Sequence, residues 1–408
     1  LASLLKLGCV FAGIVVLLSR GWNLGLVLVL ASLAVGLLFA RPIPLLAGDL
    51  IAGAVNILTL RLALAVVLIM TLGELMRRTA ALQHMVEALQ SLIPGGRIVI
   101  ASLPSLIGLL PMIGGAMFSA PLVDEVGKRL DATSELKTFI NYWFRHMWEP
   151  VFPLYPSMLL AAELLNLSPL QLAGTTWPLT VAFLAGGFVF GLRKLPASNP
   201  HAIHFDRRSL RLLIRSIWPI VLVIVLSLTL PVDERFGLVV SLLIVITLLT
   251  ITQHVSPASL VEILYRHIPW SAVFTIFGAM IFQHVLESSG AVVSVAQALV
   301  DLHMPVILVA FIAPFIPGLL TGLMAAAYSI GFPLVLPLVI TNGSGIACSW
   351  AAWLLAGGVL GTMVSPLHLC LALTRAYFSA RWGAIYRLVI PSALLVMLAA
   401  AGMLLLTK

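Results

Sequence analysis

The densest set of side chains able to do chemistry is Asn141-Tyr142-Trp143-Phe144-Arg145-His146-Met147-Trp148-Glu149. A guanidinium there can grip a carboxylate through paired hydrogen bonds. A neighbouring carboxyl or imidazole, His146 or Glu149, can carry a proton once burial moves its affinity toward neutrality. The i, i+4 spacing of Arg145 and Glu149 offers a second account, in which the two share a helix face and neutralise one another. A further histidine, His368, and the hydroxyls Ser119, Ser329, Thr362 and Ser365 fall at breaks in apolar segments. There they can coordinate a substrate or ion, or repair backbone hydrogen bonds freed by kinks.

Other chemistries find no support in the residues. The chain has no nucleotide-binding glycine loop, no hydrolase serine motif and no zinc-protease histidine pair. His201-x-x-His204 is half a metal motif in a polar stretch and reads as solvated loop. Cys9, Cys348 and Cys370 lack metal spacing and read as buried, inert thiols, so neither cofactor nor metal is expected. Glu163 and Glu287 fall near span ends and are expected to be hydrated, whereas Glu74 has Arg77 and Arg78 at ion-pair spacing.

The elements that must position these residues are membrane helices. Of 408 residues 61% are hydrophobic and 9% charged, and the mean hydropathy is +1.13. Apolar runs long enough to cross a hydrocarbon core recur throughout. Spans are predicted at about 3–18, 24–40, 57–76, 138–165, 171–192, 214–231, 236–253, 269–287, 347–372 and 383–405. Span four holds Glu149-Pro150-Val-Phe-Pro153-Leu-Tyr155-Pro156, and span nine holds Gly357-Gly358 through Ser365-Pro366-Leu-His368. Both should unwind in mid-membrane, because Pro removes a backbone donor and Gly relaxes the helix. If span four starts near Glu135, Arg145 lies about 15 Å deep at helical rise. An ionisable group at that depth points to function.

Between these spans the chain repeats itself. Pro104-Ser-Leu-Ile-Gly108-Leu-Leu and Gly114-Gly115-Ala-Met-Phe118-Ser119 recur 210 residues later as Pro314-Phe-Ile-Pro-Gly318-Leu-Leu and Met324-Ala325-Ala326-Ala-Tyr328-Ser329. Arms of about eleven residues reach roughly 17 Å, half a bilayer, so the segments at about 97–127 and 304–340 are predicted to be re-entrant hairpins. Gly114-Gly115 and Ala325-Ala326-Ala327 are the expected tips. Five spans per half force the copies into opposite orientations. The predicted fold is therefore all-α and integral to the membrane, with about ten transmembrane helices and two hairpins in two inverted repeats. The repeats cover 1–192 and 214–408, and a cytoplasmic linker, 193–213, joins them.

Charge sets the orientation. On these spans, all but Lys6, Arg41, Arg235, Lys408 and the ambiguous Arg61 and Arg145 among the 23 basic residues fall on one side. That side is predicted to be cytoplasmic, which puts both termini outside. The net charge of +8 then reports contact with lipid headgroups, not with nucleic acid.

The strings Leu109-Leu-Pro-Met-Ile-Gly114-Gly-Ala-Met-Phe-Ser119-Ala-Pro, Asn141 through Glu149, Pro153-Leu-Tyr-Pro156, Gly318-Leu-Leu-Thr-Gly322 and Val364-Ser-Pro-Leu-His368-Leu-Cys resemble an uncharacterised prokaryotic membrane-protein family. That family is grouped with the ion transporter superfamily, alongside gluconate, citrate and dicarboxylate carriers, arsenite pumps and sodium/proton antiporters. The resemblance implies a homodimer in the cytoplasmic membrane. It also implies an elevator motion, with spans one, two, six and seven as scaffold and both hairpins in the moving part. The dicarboxylate carriers bind sodium at Ser-Asn-Thr tips. Here the tips read Gly-Gly-Ala and Ala-Ala-Ala, so proton coupling through span four replaces sodium as the expectation. The function expected is a secondary active transporter, not an enzyme, that moves a small organic anion with protons. A sodium/proton antiporter is the alternative. The expected substrate positions are Gly114, Gly115, Ser119, Asn141, Arg145, Ala325, Ala326, Ser329, Thr362, Ser365 and His368, with His146 and Glu149 for the proton.

Overall fold

Apolar runs interrupted by Pro and Gly give helices whose ends fall at those residues. The computed structural model describes residues 2–92, 96–109, 115–196, 207–232, 234–268, 270–340 and 346–406, and every regular element among them is helical. The first half forms α1 (Ala2–Ser19), α2 (Leu24–Leu38), α3 (Ile43–Val55), α4 (Ile57–Arg78), α5 (Ala81–Leu92), α6 (Gly96–Gly108), α7 (Gly115–Arg129), α8 (Ser134–Arg145), α9 (Pro156–Leu164) and α10 (Pro169–Phe190). The second forms α11 (Arg207–Thr229), α12 (Glu234–Thr252), α13 (Pro257–Glu262), α14 (Trp270–Ser288), α15 (Ala291–Asp301), α16 (Val306–Thr321), α17 (Met324–Val339), α18 (Cys348–Val364), α19 (Leu369–Phe378) and α20 (Trp382–Leu406). Asn23, Asn56, Thr133, Ser168 and Ser256 cap helix starts with their side chains, as short polar residues do.

Six stretches, Ile57–Arg78, Pro169–Lys194, Arg207–Thr229, Trp270–Ser288, Cys348–Phe378 and Trp382–Leu406, are long and apolar enough to cross a membrane. The chain is a multi-pass membrane protein. The other predicted spans correspond to the shorter apolar helices α1, α2 and α12 and to the broken pair α8 and α9. Helices α3, α5, α13 and α15 fall outside the predicted spans, because at 6 to 13 residues each is too short to give the length signal of a span.

Element starts in the two halves recur at intervals of 205 to 214 residues. Leu24 and Glu234, Ala81 and Ala291, and Gly96 and Val306 open α2 and α12, α5 and α15, and α6 and α16, each of these pairs 210 residues apart. Packing recurs in exchanged form as well: α2 lies on α14 as α12 lies on α4, and α17 meets α9 as α7 meets α19.

The helices sort into two packed groups. Helices α1–α4 and α11–α14 form one, in which α14 lies against α2, α3 and α4. Helices α6–α10 and α16–α20 form the other, built on α16 with α18, α10 with α20, and α6 with α8. The groups touch along a seam where α14 meets α17, α1 meets α16 and α4 meets α9. In the first group, a Cβ on Gly25 would strike the Phe274 carbonyl, and one on Gly278 would strike the backbone of Gly25. Close approach through small residues is how apolar helices associate where lipid supplies no hydrophobic driving force.

That contact generates a stability prediction. Replacement Gly25→Leu should destabilise the protein by about 1–3 kcal/mol, the usual cost of overpacking a tight interface. Thermal unfolding in detergent measures it, and an unchanged midpoint would contradict the α2–α14 packing.

Candidate functional site

Both long broken helices interrupt inside the second group. Helix α8 ends at Arg145, and an irregular segment follows until Pro156 opens α9, where proline is at home in the first turn. Helix α18 ends at Val364, and Ser365–His368 lead into α19. Each break leaves backbone groups unpaired, and neighbouring side chains take them up. Trp148 Nε1 donates to the Ser105 carbonyl at 2.9 Å, and the Tyr155 hydroxyl donates to the Gly108 carbonyl. The Tyr142 hydroxyl donates to the Met363 carbonyl at 2.9 Å, and Ser365 Oγ to the Leu319 carbonyl at 2.6 Å. Gly108 has no room for a side chain, since a Cβ there would meet the Arg145 carbonyl.

The breaks meet at a cavity of about 440 Å³ on the seam between the two groups. One wall carries Arg145, His146, Glu149, Tyr155, Gly322, Ala325, His368 and Cys370. The opposite wall carries Asn23 and Leu24 of α2, Met70 of α4, and Ser271 and Thr275 of α14. The N-terminal turns of α9, α17 and α19 all reach the cavity, through Pro156 and Ser157, Met324 and Ala325, and Leu369 and Cys370. Unpaired N–H groups and the helix dipole make such ends favourable for negative charge.

Arg145, His146 and His368 are 6%, 1% and 8% exposed. His146 Nδ1 lies 2.7 Å from the Tyr142 carbonyl, which only accepts, so that nitrogen carries the hydrogen. Nε2 is then the acceptor, 3.2 Å from His368 Nε2 and 3.5 Å from an Arg145 guanidinium nitrogen. The Tyr142 ring lies tilted against His146 and edge-on to His368, with centroids 4.9 and 5.4 Å away. Cys370 Sγ and the histidine nitrogens lie within 4.8 Å of one another, a donor set with transition-metal character. Arg145 already donates to that sulfur at 3.7 Å, and a guanidinium at this range repels a metal ion.

Of the expected site residues, the cavity brings together Arg145, His146, Glu149, Ala325 and His368. The rest lie elsewhere. Asn141 is buried, and its Nδ2 bridges the Ala116 carbonyl at 3.0 Å and Thr374 Oγ1 at 3.1 Å, tying α7 to α19. Ser119 is buried and donates to the Ala116 carbonyl at 3.3 Å. Ser365 repairs backbone, as the second account of the hydroxyls had it. Ser329 and Thr362 are buried with hydroxyls that have no hydrogen-bond partner, and Ala326 is buried in α17. Gly115 opens α7, while Gly114, His201 and His204 lie outside the described residues.

Three expectations need correction. The i, i+4 pairing of Arg145 with Glu149 is not formed, because α8 ends at Arg145 and Glu149 instead accepts from Ser157 Oγ at 3.4 Å. The tip of the second hairpin is Gly322-Leu323, ahead of Ala325-Ala326-Ala327, which belong to α17. Gly322 caps α16 in the left-handed region, φ 68°, and glycine is the residue that closes a helix this way. Cys9 and Cys348 are exposed on the protein surface, and Cys370 lines the cavity, so none is the fully buried thiol expected.

The sequence reading missed the opposite wall altogether. Asn23 carried a signal, a cap residue before an apolar run, whereas Met70, Ser271 and Thr275 carried none.

Fold and site define an all-helical, multi-pass membrane protein with a polar cavity between two helix groups. Residues 1–407 match the family described as Protein of unknown function (DUF401), and the chain belongs to that family. No curated protein matches the chain. Among solved structures it is similar to the crystal structure of the Alcanivorax borkumensis YdaH transporter, with a TM-score of 0.64 over 96% of this chain and 97% of that one. Sequence identity is 13%, so the likeness is one of fold.

Asn141 gives the subsection its test. Asn141→Ala removes two buried hydrogen bonds and should cost about 1–3 kcal/mol. Because the side chain is not on the cavity wall, ligand-induced stabilisation should persist. Chemical unfolding with and without ligand separates the two effects, and loss of the ligand response alone would put Asn141 back in the binding site.

Proposed function

We propose that the protein is a secondary active transporter that carries a small organic anion, a carboxylate, across the cytoplasmic membrane of a prokaryote together with protons. One observation carries the reading: buried Arg145 and the N-terminal turns of α9, α17 and α19 converge on a single cavity. A guanidinium beside three helix N-terminal turns favours a bound anion. Arg145 grips the carboxylate, and Glu149 or His146, on the same wall, carries the proton.

The transport route follows from the two groups. The recurring interval between element starts and the exchanged packing support two inverted repeats. The seam position of the cavity supports an elevator motion, in which α6–α10 and α16–α20 slide past α1–α4 and α11–α14. The short hairpin helices support re-entry, since α6 and α7 have 13 and 15 residues, about 20–23 Å at helical rise. In the α11 span only 22% of the apolar window is buried, which leaves its face for lipid or for a second protomer of a homodimer. Arg77 and Arg78 end α4 on the side taken as cytoplasmic, where Arg78 also meets Glu262 at 3.1 Å and holds that carboxyl below its ordinary range. A second reading, sodium/proton exchange without an organic substrate, draws on the close His146–His368 pair.

Thermal shifts of the purified protein against small carboxylates, at two pH values with and without sodium, test the proposal. A carboxylate at a hundred times its dissociation constant should stabilise the protein by about 2.7 kcal/mol, and Arg145→Gln should abolish the response. A response to sodium alone, retained in Arg145→Gln, would favour the exchanger. In proteoliposomes, Glu149→Gln should keep anion exchange but lose uptake driven by a proton gradient. Undiminished proton-driven uptake in that variant would remove Glu149 from the coupling step.

A further inference from the structure

Arg61 of α4 and Glu163 of α9 form an ion pair between residues 102 apart in sequence. Among the described residues it is the one ion pair, and the one side-chain hydrogen bond, that crosses the seam between the two helix groups. The remaining ion pairs stay within a group, such as Arg41–Asp49 and Arg78–Glu262 in the first and Lys137–Asp124 and Arg381–Glu135 in the second. Both partners are largely removed from solvent, at 12% and 13% side-chain exposure, and the Arg61 ring neighbour is Phe236 of α12. A crevice of about 560 Å³ surrounds them, walled by Leu58, Leu62, Leu159, Ala162 and Leu238 with Asn166 at the end of α9. Charges held in apolar surroundings attract strongly, and either one left alone there is costly.

The pair also sits nearer the start of α4 than the cavity's second wall does. That wall is made by the N-terminal turns of α2 and α14 together with Met70 of α4. Arg61 lies nine residues before Met70 on α4, about 14 Å away at helical rise. Thus the groups are clamped beside the cavity, on the side where α4 begins.

We infer that Arg61 and Glu163 are a latch, which keeps the cavity closed to the Arg61 side and must part each time the groups slide. The inference rests on the alternating-access part of the proposed function, but not on the identity of any substrate. Its parting exposes the crevice, whose walls include the polar groups of Asn166 and Gln171 as well as the two charges.

Cys370 reports the state of the cavity, since it lines the wall next to Arg145. In a Cys9→Ser, Cys348→Ser background, membrane-impermeant maleimide is applied to oriented vesicles from the Arg61 side, with labelling from the other side as the reactivity control. Glu163→Gln and Arg61→Gln should each speed labelling of Cys370 from the Arg61 side about tenfold, a population shift of that order. The exchanged pair, Arg61→Glu with Glu163→Arg, should return the rate to within about twofold of the starting protein, as a restored attraction would. Unchanged rates in the single variants, or an exchanged pair that labels as fast as they do, would overturn the latch. No organic anion is present in this assay. A protein that binds no carboxylate can still show the latch, and a failed latch leaves anion binding to be judged by its own thermal shifts.

Discussion

A backbone that leaves helical geometry inside a bilayer must find partners for every N–H and C=O it releases, because lipid offers none. This constraint organises the second helix group. Trp148, Tyr155, Tyr142 and Ser365 each spend a donor on a carbonyl released near a break or a hairpin arm. These four acceptors are thereby satisfied within protein. Helix starts at Pro156, Met324 and Leu369 turn their N–H ends to one cavity instead. Helix N-terminal turns set toward one cavity favour negative charge there. Arg145 adds a full positive charge to that field.

The histidine pair follows from the same arrangement. His146 comes from the break after α8 and His368 from the break after α18, so the contact between them joins the two halves of the chain at their weakest points. Tyr142 packs against both rings and fixes their spacing. A neutral His146 is oriented by the Tyr142 carbonyl and points its lone pair at both His368 and Arg145. Any proton added here lands beside an existing guanidinium, so the two positive charges oppose one another.

Much of this was legible in the sequence, for reasons that can be named. Long apolar runs marked the spans, and Pro150, Pro153 and Pro156 marked the first break because proline cannot continue a hydrogen-bond ladder. The matched Pro, Gly and Leu-Leu strings marked the segments that the helix pairs α6–α7 and α16–α17 occupy. Individual contacts were less legible. Helical spacing implied an Arg145–Glu149 pair, but the helix stops between them, and sequence distance then says nothing about direction. Glu163 looked hydrated at a span end, yet it pairs with Arg61 across the seam, a contact set by tertiary packing alone. The wall formed by Met70, Ser271 and Thr275 is invisible for the same reason, since ordinary helix residues become cavity lining only when another group is set opposite them.

Amide hydrogen exchange at the two breaks tests the central claim most directly. If the helix starts at Ser157 and at Leu369-Cys370 face a wet cavity built for an anion, their amides should exchange well ahead of the α18 interior. They should slow when a bound carboxylate occupies them. Amides as protected as those of α18, and indifferent to every carboxylate tried, would contradict the account.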